Sequence, residues 1–434
     1  MSAESIRVLS PGLGVAIAAL LIFAYSVVGR RLGRWSLTAP IVFMVSGWVI
    51  SRLFDATPTE VAGLETLAEA TLAIVLFTDA AGVRPRAIGG DRGPISRLLL
   101  LGLPLTIALG TLLAVVLWPS MPFYAALLLG AMLAPTDAAL GAATVLNKAV
   151  PMRIRRILNV ESGLNDGLAT PVVLFAVAAL AGEEGLTAGT SAWSAVLEIG
   201  LGAAVGAGVG YGAGRLLRWS AGHGFATARG RMVAVLMLPL FAYTFAGVFD
   251  GNGFIAAFLA GTFFAAAWKA GSHEGQESLE LAESVAEPMG DATWLIFGLL
   301  AVPLLLVGLG WREVVFAVCA LTVLRMLPVA LSLLGTGLRP QTVLFIGWFG
   351  PRGLASVVFS LIALESLEMD AALEDVLATA GLTILLSVVL HGVTAAPWAR
   401  RYGAWVRAVT PAAEVADAAA EPRSRGRLAN QNHD

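Results

Sequence analysis

The chain has 434 residues, 57% of them hydrophobic and only 13% charged, with a formal net charge of -2. Ordinary soluble domains carry roughly a quarter charged residues, so this composition describes an integral membrane protein whose surroundings are the lipid bilayer. Basic residues lie in loops between apolar stretches rather than on one face, which excludes a nucleic-acid partner. The single cysteine, Cys319, excludes an intramolecular disulfide and a cysteine-built metal site.

Windows of about 20 apolar residues give roughly thirteen spans. In chain order they are 11–29, 37–53, 66–83, 98–118, 121–146, 157–181, 192–217, 231–249, 251–268, 291–309, 313–335, 341–364 and 373–397. The first is followed at once by Arg30, Arg31 and Arg34. A secretory signal carries its basic residues before the apolar core, so this span reads as a retained helix. Basic residues recur after odd-numbered spans, as at Arg84, Arg86, Lys148, Arg153, Arg155, Arg218, Lys269, Arg339 and Arg400. Acidic residues follow the even ones, as at Asp55, Glu60, Glu183, Glu184, Asp250, Glu365 and Glu368, with Arg52 and Arg312 as exceptions. The positive-inside rule then predicts a multi-pass protein of the cell inner (plasma) membrane, with residues 1–10 outside and the C-terminus in the cytoplasm.

Span five is interrupted at Pro135, which cannot donate to the helix ladder, directly before Thr136 and Asp137 and between Gly130 and Gly141. Local unwinding there frees carbonyls and half-helix ends near mid-depth, where the Thr136 hydroxyl or carbonyl can ligate an ion. Two readings stand for Asp137: it offsets a positive half-helix N-terminus within an ion site, or it merely caps a proline kink.

Span six carries Glu161, Ser162, Asn165 and Asp166 in an otherwise apolar stretch. Ionisable residues at that depth usually mark an ion path. Helical spacing puts the Ser162 hydroxyl one turn from the Asp166 carboxylate, and these are hard oxygen donors suited to a partly dehydrated monovalent cation. Burial penalises the charged carboxylate, so a proton and a cation compete for it. The plainer reading is a structural carboxylate tied into a hydrogen-bond network. Glu161 is expected to pair with Arg325, isolated in the apolar run from Val314 to Leu334, as a structural ion pair.

Gly206, Gly210 and Gly214, spaced by four in span seven, predict close helix packing. The acidic stretch from Glu274 to Glu287, with Leu279, Leu281 and Val285 at helical spacing, predicts an interfacial helix linking two halves. Span twelve is broken at Gly350-Pro351-Arg352-Gly353, a counterpart of the break in span five. Matching breaks point to an inverted repeat of halves 11–181 and 231–397 joined by span seven, with the two unwound helices crossing at the site. Arg352 then either compensates the negative ends of the crossing half-helices or is an ordinary residue of the cytoplasmic side. Residues 399–434 lack apolar periodicity after Val409 and predict a short unstructured cytoplasmic tail. His223, His273 and His391 show no metal-ligand spacing, and no serine sits in a nucleophile elbow, so the chain is not read as an enzyme.

Four segments in order, Gly130 to Asp137 (GAMLAPTD), Glu161 to Gly167 (ESGLNDG), Gly251 to Gly261 (GNGFIAAFLAG) and Gly350 to Ser356 (GPRGLAS), resemble the signatures of bacterial NhaP-type sodium/proton antiporters of the monovalent cation:proton antiporter-1 family. The resemblance covers about Leu13 to Trp398. It implies an all-α, thirteen-helix, NhaA-like homodimer whose core domain moves against a dimerisation domain. It further implies that Asp166 binds the cation and carries the proton, and that Ser162 and Thr136 are ion ligands. Asp137 becomes the aspartate of the unwound crossing helix, and Glu161 with Arg325 a buried pair that also holds Asn165. Asn165 matches the asparagine that replaces a second aspartate of electrogenic relatives, which implies electroneutral exchange. Asn252 resembles a position near the ion pathway, or simply ends a helix. Ala138 departs from the pattern, since many relatives have proline there. The expected function is exchange of a monovalent cation, sodium first and potassium or lithium as alternatives, for protons, without a cofactor. A gated cation channel is the alternative of a different class.

Overall fold

The computed structural model describes residues 11–35, 37–54, 64–83, 91–137, 140, 147–183, 188–268 and 273–415, and among these residues the regular structure is entirely helical. In chain order the helices are α1 (Pro11–Arg34), α2 (Ala39–Leu53), α3 (Leu64–Gly82), α4 (Arg92–Leu117), α5 (Phe123–Met132), α6 (Met152–Glu183), α7 (Ala188–Gly222) and α8 (Ala228–Gly247). They continue with α9 (Gly253–Ala267), α10 (His273–Gly308), α11 (Trp311–Leu321), α12 (Val323–Ser332), α13 (Pro340–Trp348), α14 (Leu354–Ser366), α15 (Ala371–Val409) and the short α16 (Ala412–Val415). Each expected span contains helix. Among the described residues, eight helices are long and apolar enough to cross a membrane, and α2, α5, α9 and α14 are shorter apolar helices. Outward-facing Phe23, Val27, Leu100, Leu112 and Leu216 are exposed, as a lipid-facing surface requires.

The largest apolar core gathers Phe43, Leu72, Leu128, Phe297 and Phe359 from α2, α3, α5, α10 and α14. Glycine sets how closely helices approach it. A Cβ at Gly206 or Gly210 of α7 would strike the Ala256 or Ala260 carbonyl of α9, and one at Gly214 would meet the Ala267 Cβ at 2.8 Å. The packing role expected for these three glycines is the one they have. Gly47 of α2 and Gly298 of α10 face each other's backbones in the same way, against the Leu295 and Met44 carbonyls.

Four features depart from the sequence reading. The stretch from Glu274 to Glu287 is no separate interfacial helix but the first half of the 36-residue α10. Leu279, Ala282 and Ala286 recur at helical spacing and are buried, which ties the segment to the bundle. Span eleven is broken at Thr322, with φ -120° and ψ -92°, into α11 and α12. Neither glycine nor proline stands at that point. In α4, a wide turn over Leu98–Gly102 precedes Pro104, whose missing N–H would otherwise close onto Leu100.

Lastly, α15 runs on through residues expected in the tail. The stripe Ala395, Ala399, Tyr402 and Val406 stays buried at intervals of three or four, and the helix ends where Thr410 turns left-handed at φ 43°. Residues 399–415 are therefore folded; residues 416–434 lie outside the described residues, as do residues 1–10, Ala138 and Gly141.

Candidate ion-binding site

The interruptions of spans five and twelve meet. After α5 ends at Met132 the chain stays non-helical through Leu133 to Asp137, and Phe349 to Gly353 separate α13 from α14. Pro135 and Pro351 cannot donate to a ladder and disfavour helix in the residue before them. Each break satisfies the backbone groups that the other leaves open. The Asp137 N–H donates to the Pro351 carbonyl at 2.8 Å, and the Leu354 N–H donates to Asp137 Oδ2 at 3.2 Å. Ser356 Oγ donates to the Met132 carbonyl, the last residue of α5, at 2.7 Å. Asp137 thus sits at the positive N-terminus of α14, the helix end of span twelve rather than of its own span. The approach requires glycine: a Cβ on Gly353 would land on the Asp137 carboxyl, and one on Gly350 would meet Arg325 Nε at 2.5 Å and Thr136 Cγ2 at 2.9 Å.

Helix α6 passes beside Thr136. Ser162 Oγ donates to the Thr136 carbonyl at 2.7 Å and lies 3.1 Å from Thr136 Oγ1. Asn165 Nδ2 donates to Thr136 Oγ1 at 2.7 Å and lies 3.4 Å from Glu161 Oε1. The neighbouring carboxylate fixes the amide orientation, because only the amide nitrogen can donate to it. The Asn165 carbonyl oxygen therefore points away and has no hydrogen-bond partner among the described residues. Arg325, three residues beyond the break at Thr322, grips Glu161 with both terminal nitrogens, at 2.8 and 2.9 Å. Its guanidinium neutralises the glutamate and leaves the pair electrically closed.

Asp166 lies on α6 one turn beyond Ser162 and is buried at 6% exposure. Its carbonyl accepts from Thr170 Oγ1 at 2.7 Å, and the adjacent Gly167 backs onto the Phe258 ring of α9 so closely that a Cβ would collide. A carboxylate that the sequence reading passed over joins this face. Asp79 of α3 lies over Gly163, its Oδ1 3.8 Å from where a Cβ would stand. Gly163 and Asp166 are three apart on one helix and so share a face. The signal was available: Asp79 is an acid inside the apolar third span, the same criterion that singled out Asp166.

Thr136, Ser162 and Asn165 are thus bonded directly, Asp137 is bound through α14, and Glu161 pairs with Arg325. Arg352 goes elsewhere. Its guanidinium donates to the Gly350 carbonyl at 3.0 Å and to the Ala320 carbonyl at 3.0 Å. It covers the negative end of α11, in the interrupted eleventh span, together with one carbonyl of span twelve, rather than both crossing half-helices. Asn252 caps α9, its Oδ1 accepting from the Phe254 and Ile255 N–H groups at 3.1 Å each.

Chemically, the arrangement offers oxygen: the Asp166 carboxyl, the Ser162 hydroxyl, the Thr136 carbonyl and hydroxyl, and the Asn165 carbonyl. Hard donors of this kind suit an alkali cation as cargo. Rotating the Ser162 O–H off Thr136 releases a lone pair on one atom and a carbonyl on the other.

The family described as sodium/hydrogen exchanger, transmembrane, matches residues 16–401. The chain is 27% identical over 349 residues to a K(+)/H(+) antiporter NhaP of Alkalimonas amylolytica, covering 78% of this chain and 57% of that protein. It is 26% identical over 317 residues to a Na(+)/H(+) antiporter of Schizosaccharomyces pombe, covering 64% of this chain and 65% of that protein. The chain thus spans between about half and two thirds of the length of these relatives. In fold it is similar to the sodium proton antiporter MjNhaP1 of Methanocaldococcus jannaschii, with a TM-score of 0.73 at 16% identity, covering 89% of this chain and 98% of that one.

Proposed function

The chain belongs to the sodium/hydrogen exchanger family, and on that premise we propose that it exchanges a monovalent cation for protons by alternating access, with both competing for Asp166. The observation that carries this reading is the junction of Thr136 with Ser162 and Asn165, one turn from the buried Asp166 carboxyl. Facing one side, Asp166 releases its proton and takes the cation, with Ser162 and Thr136 completing the shell. The loaded site, its charge offset, then crosses; the return is made with Asp166 protonated. An empty anionic site crosses poorly, because an unpaired charge in a low-dielectric interior is costly. No cofactor and no ATP enter the cycle.

Exchange of one cation for one proton follows if Asp166 is the sole titrating carrier, since Asn165 contributes no charge and Glu161 is held by Arg325. Asp137, at the start of α14, is assigned to balancing the broken helices rather than to carrying the ion. Asp79 is assigned to the approach of the cation to Asp166. Sodium is the proposed cargo, and potassium, the ion named for the Alkalimonas relative, is the second reading. The protein is further proposed to be a homodimer of the cell inner membrane, N-terminus out and C-terminus in.

Proton flux in proteoliposomes tests this reading, with sodium, potassium and lithium gradients compared. Wild-type protein is expected to move protons against a cation gradient, and folded Asp166→Asn protein to move none. Sodium-dependent proton flux retained by Asp166→Asn would refute the assignment.

A further inference from the structure

Helix α15 runs beside the interruption of span twelve and touches it at two points that the ion site does not use. On its buried face, one turn apart, stand Ser387 and His391, at 0% and 1% exposure. Ser387 Oγ accepts the backbone N–H of Arg352 at 2.7 Å. His391 Nε2 lies 2.8 Å from the carbonyl of Trp348, the last residue of α13. His391 Nδ1 lies 3.2 Å from Ser387 Oγ and 2.8 Å from the Ser387 carbonyl.

Each ring nitrogen of His391 lies 2.8 Å from a carbonyl, so a ring carrying both protons donates to both and a neutral ring donates to one. Ser387 Oγ takes the Arg352 N–H on a lone pair, and the His391 ring packs against the same hydroxyl, its Nδ1 3.2 Å away. Whenever Nε2 carries a proton, the ring donates it to the Trp348 carbonyl. The contacts run from Arg352 through two residues of α15 to Trp348. Both ends belong to the broken segment and are groups the break takes out of the helix ladder; the Trp348 carbonyl also accepts the Gly350 N–H at 2.8 Å.

The opposite side of the same segment faces the ion site. The Pro351 carbonyl accepts the Asp137 N–H, Leu354 donates to the Asp137 carboxylate, and Gly350 backs onto Thr136 and Arg325. The segment is therefore held between α15 on one side and the Thr136–Asp137 turn on the other. Thr136 presents the oxygens that meet Ser162 and Asn165, so its position depends on where Phe349 to Gly353 are held.

We propose that Ser387 and His391 are positioning residues of the cation site, fixing the broken segment of span twelve so that Thr136 stays in register with Ser162. This rests on the exchange reading above and adds two residues that do not touch the cargo. Outer residues that orient ligands are commonly worth 10–100-fold in affinity.

The test compares half-saturating cation concentration with maximal rate in proteoliposomes for the wild type, Ser387→Ala, His391→Ala and the conservative Ser387→Thr and His391→Gln. The alanine variants are expected to raise half-saturation by about tenfold with a smaller change in maximal rate, the lower end of the usual loss on removing an outer partner. Threonine keeps the hydroxyl, and glutamine keeps an N–H that can donate to the Trp348 carbonyl, so both should restore binding to within about twofold, short of that loss. Alanine variants with wild-type half-saturation overturn the proposal. A wild type without cation-driven flux would count against exchange instead. Amide hydrogen exchange on wild-type protein needs neither flux nor a variant. The Arg352 N–H should exchange as slowly as the amides inside α14, and exchange at loop rates would equally overturn the proposal.

Discussion

Arg325 and Glu161 form a two-pronged ion pair, Nη1 to Oε1 at 2.8 Å and Nη2 to Oε2 at 2.9 Å, that joins α12 to α6 from positions 164 apart in sequence. Both side chains are nearly inaccessible. Removing one partner leaves the other charge buried and unmatched, so Arg325→Leu and Glu161→Leu should each destabilise the protein by about 3–5 kcal/mol. The double replacement should recover much of that loss. Thermal unfolding in detergent measures it; single variants as stable as the wild type would contradict the structural role.

Asp137 meets the first turn of α14 with its carboxylate. Loss of a capping carboxylate typically costs about 1 kcal/mol. Asp137→Ala should therefore remain folded with a small fall in thermal stability, yet lose most exchange, because the negative charge between the two breaks is gone although the bond of its N–H to the Pro351 carbonyl remains. Proton flux and unfolding measured on the same preparation separate the two effects, and full activity in the alanine variant would contradict the coupling.

Gly353 has no room for a side chain, since a Cβ would fall on the Asp137 carboxyl. Overpacking of this kind usually costs about 1–3 kcal/mol. Gly353→Ala should fall in that range and should impair exchange more than Gly208→Ala, a glycine of α7 with nothing within 4 Å of its added Cβ. Paired unfolding and flux measurements on the two variants check the order.

At one end of the bundle, Glu414 reaches the start of α13. Its Oε1 accepts the Arg339 N–H at 2.8 Å and the Thr342 hydroxyl at 2.8 Å, and Thr342 lies 2.9 Å from the Tyr402 hydroxyl. Arg153 donates to the neighbouring Ala413 carbonyl and pairs with Asp91 at 2.6 Å, tying the same segment to α6. Glu414→Ala removes the charged acceptor of both bonds and should cost about 1.5–3 kcal/mol. Denaturation of the variant tests this, and an unchanged midpoint would contradict it.

Much of this was legible in the chain. Apolar runs marked the spans, and prolines at 135 and 351 marked the breaks, because proline removes a donor wherever it stands. Glu161 could be assigned Arg325 because a lone arginine in an apolar run demands a partner. Asp79 apart, what escaped lacked a local signal. The break at Thr322 has no glycine or proline, and the Arg352 contact with Ala320 depends on that break. The contacts of Ser387 and His391 involve two side chains unremarkable in sequence, which acquire a role only when α15 lies against span twelve. The tail looked unstructured because its stripe of Tyr402 and Val406 is thin, with the polar contact of Glu414 lying far away in sequence.

The most direct measurement is proton release on adding sodium to detergent-solubilised protein in weakly buffered solution, with sodium binding followed in parallel by calorimetry. Competition at one carboxyl makes the two events reciprocal. Where Asp166 is largely protonated before sodium is added, the wild type should bind sodium and release protons together, approaching about one per cation, while Asp166→Asn should do neither. Sodium binding to the wild type across the pH range with no proton released would contradict the account.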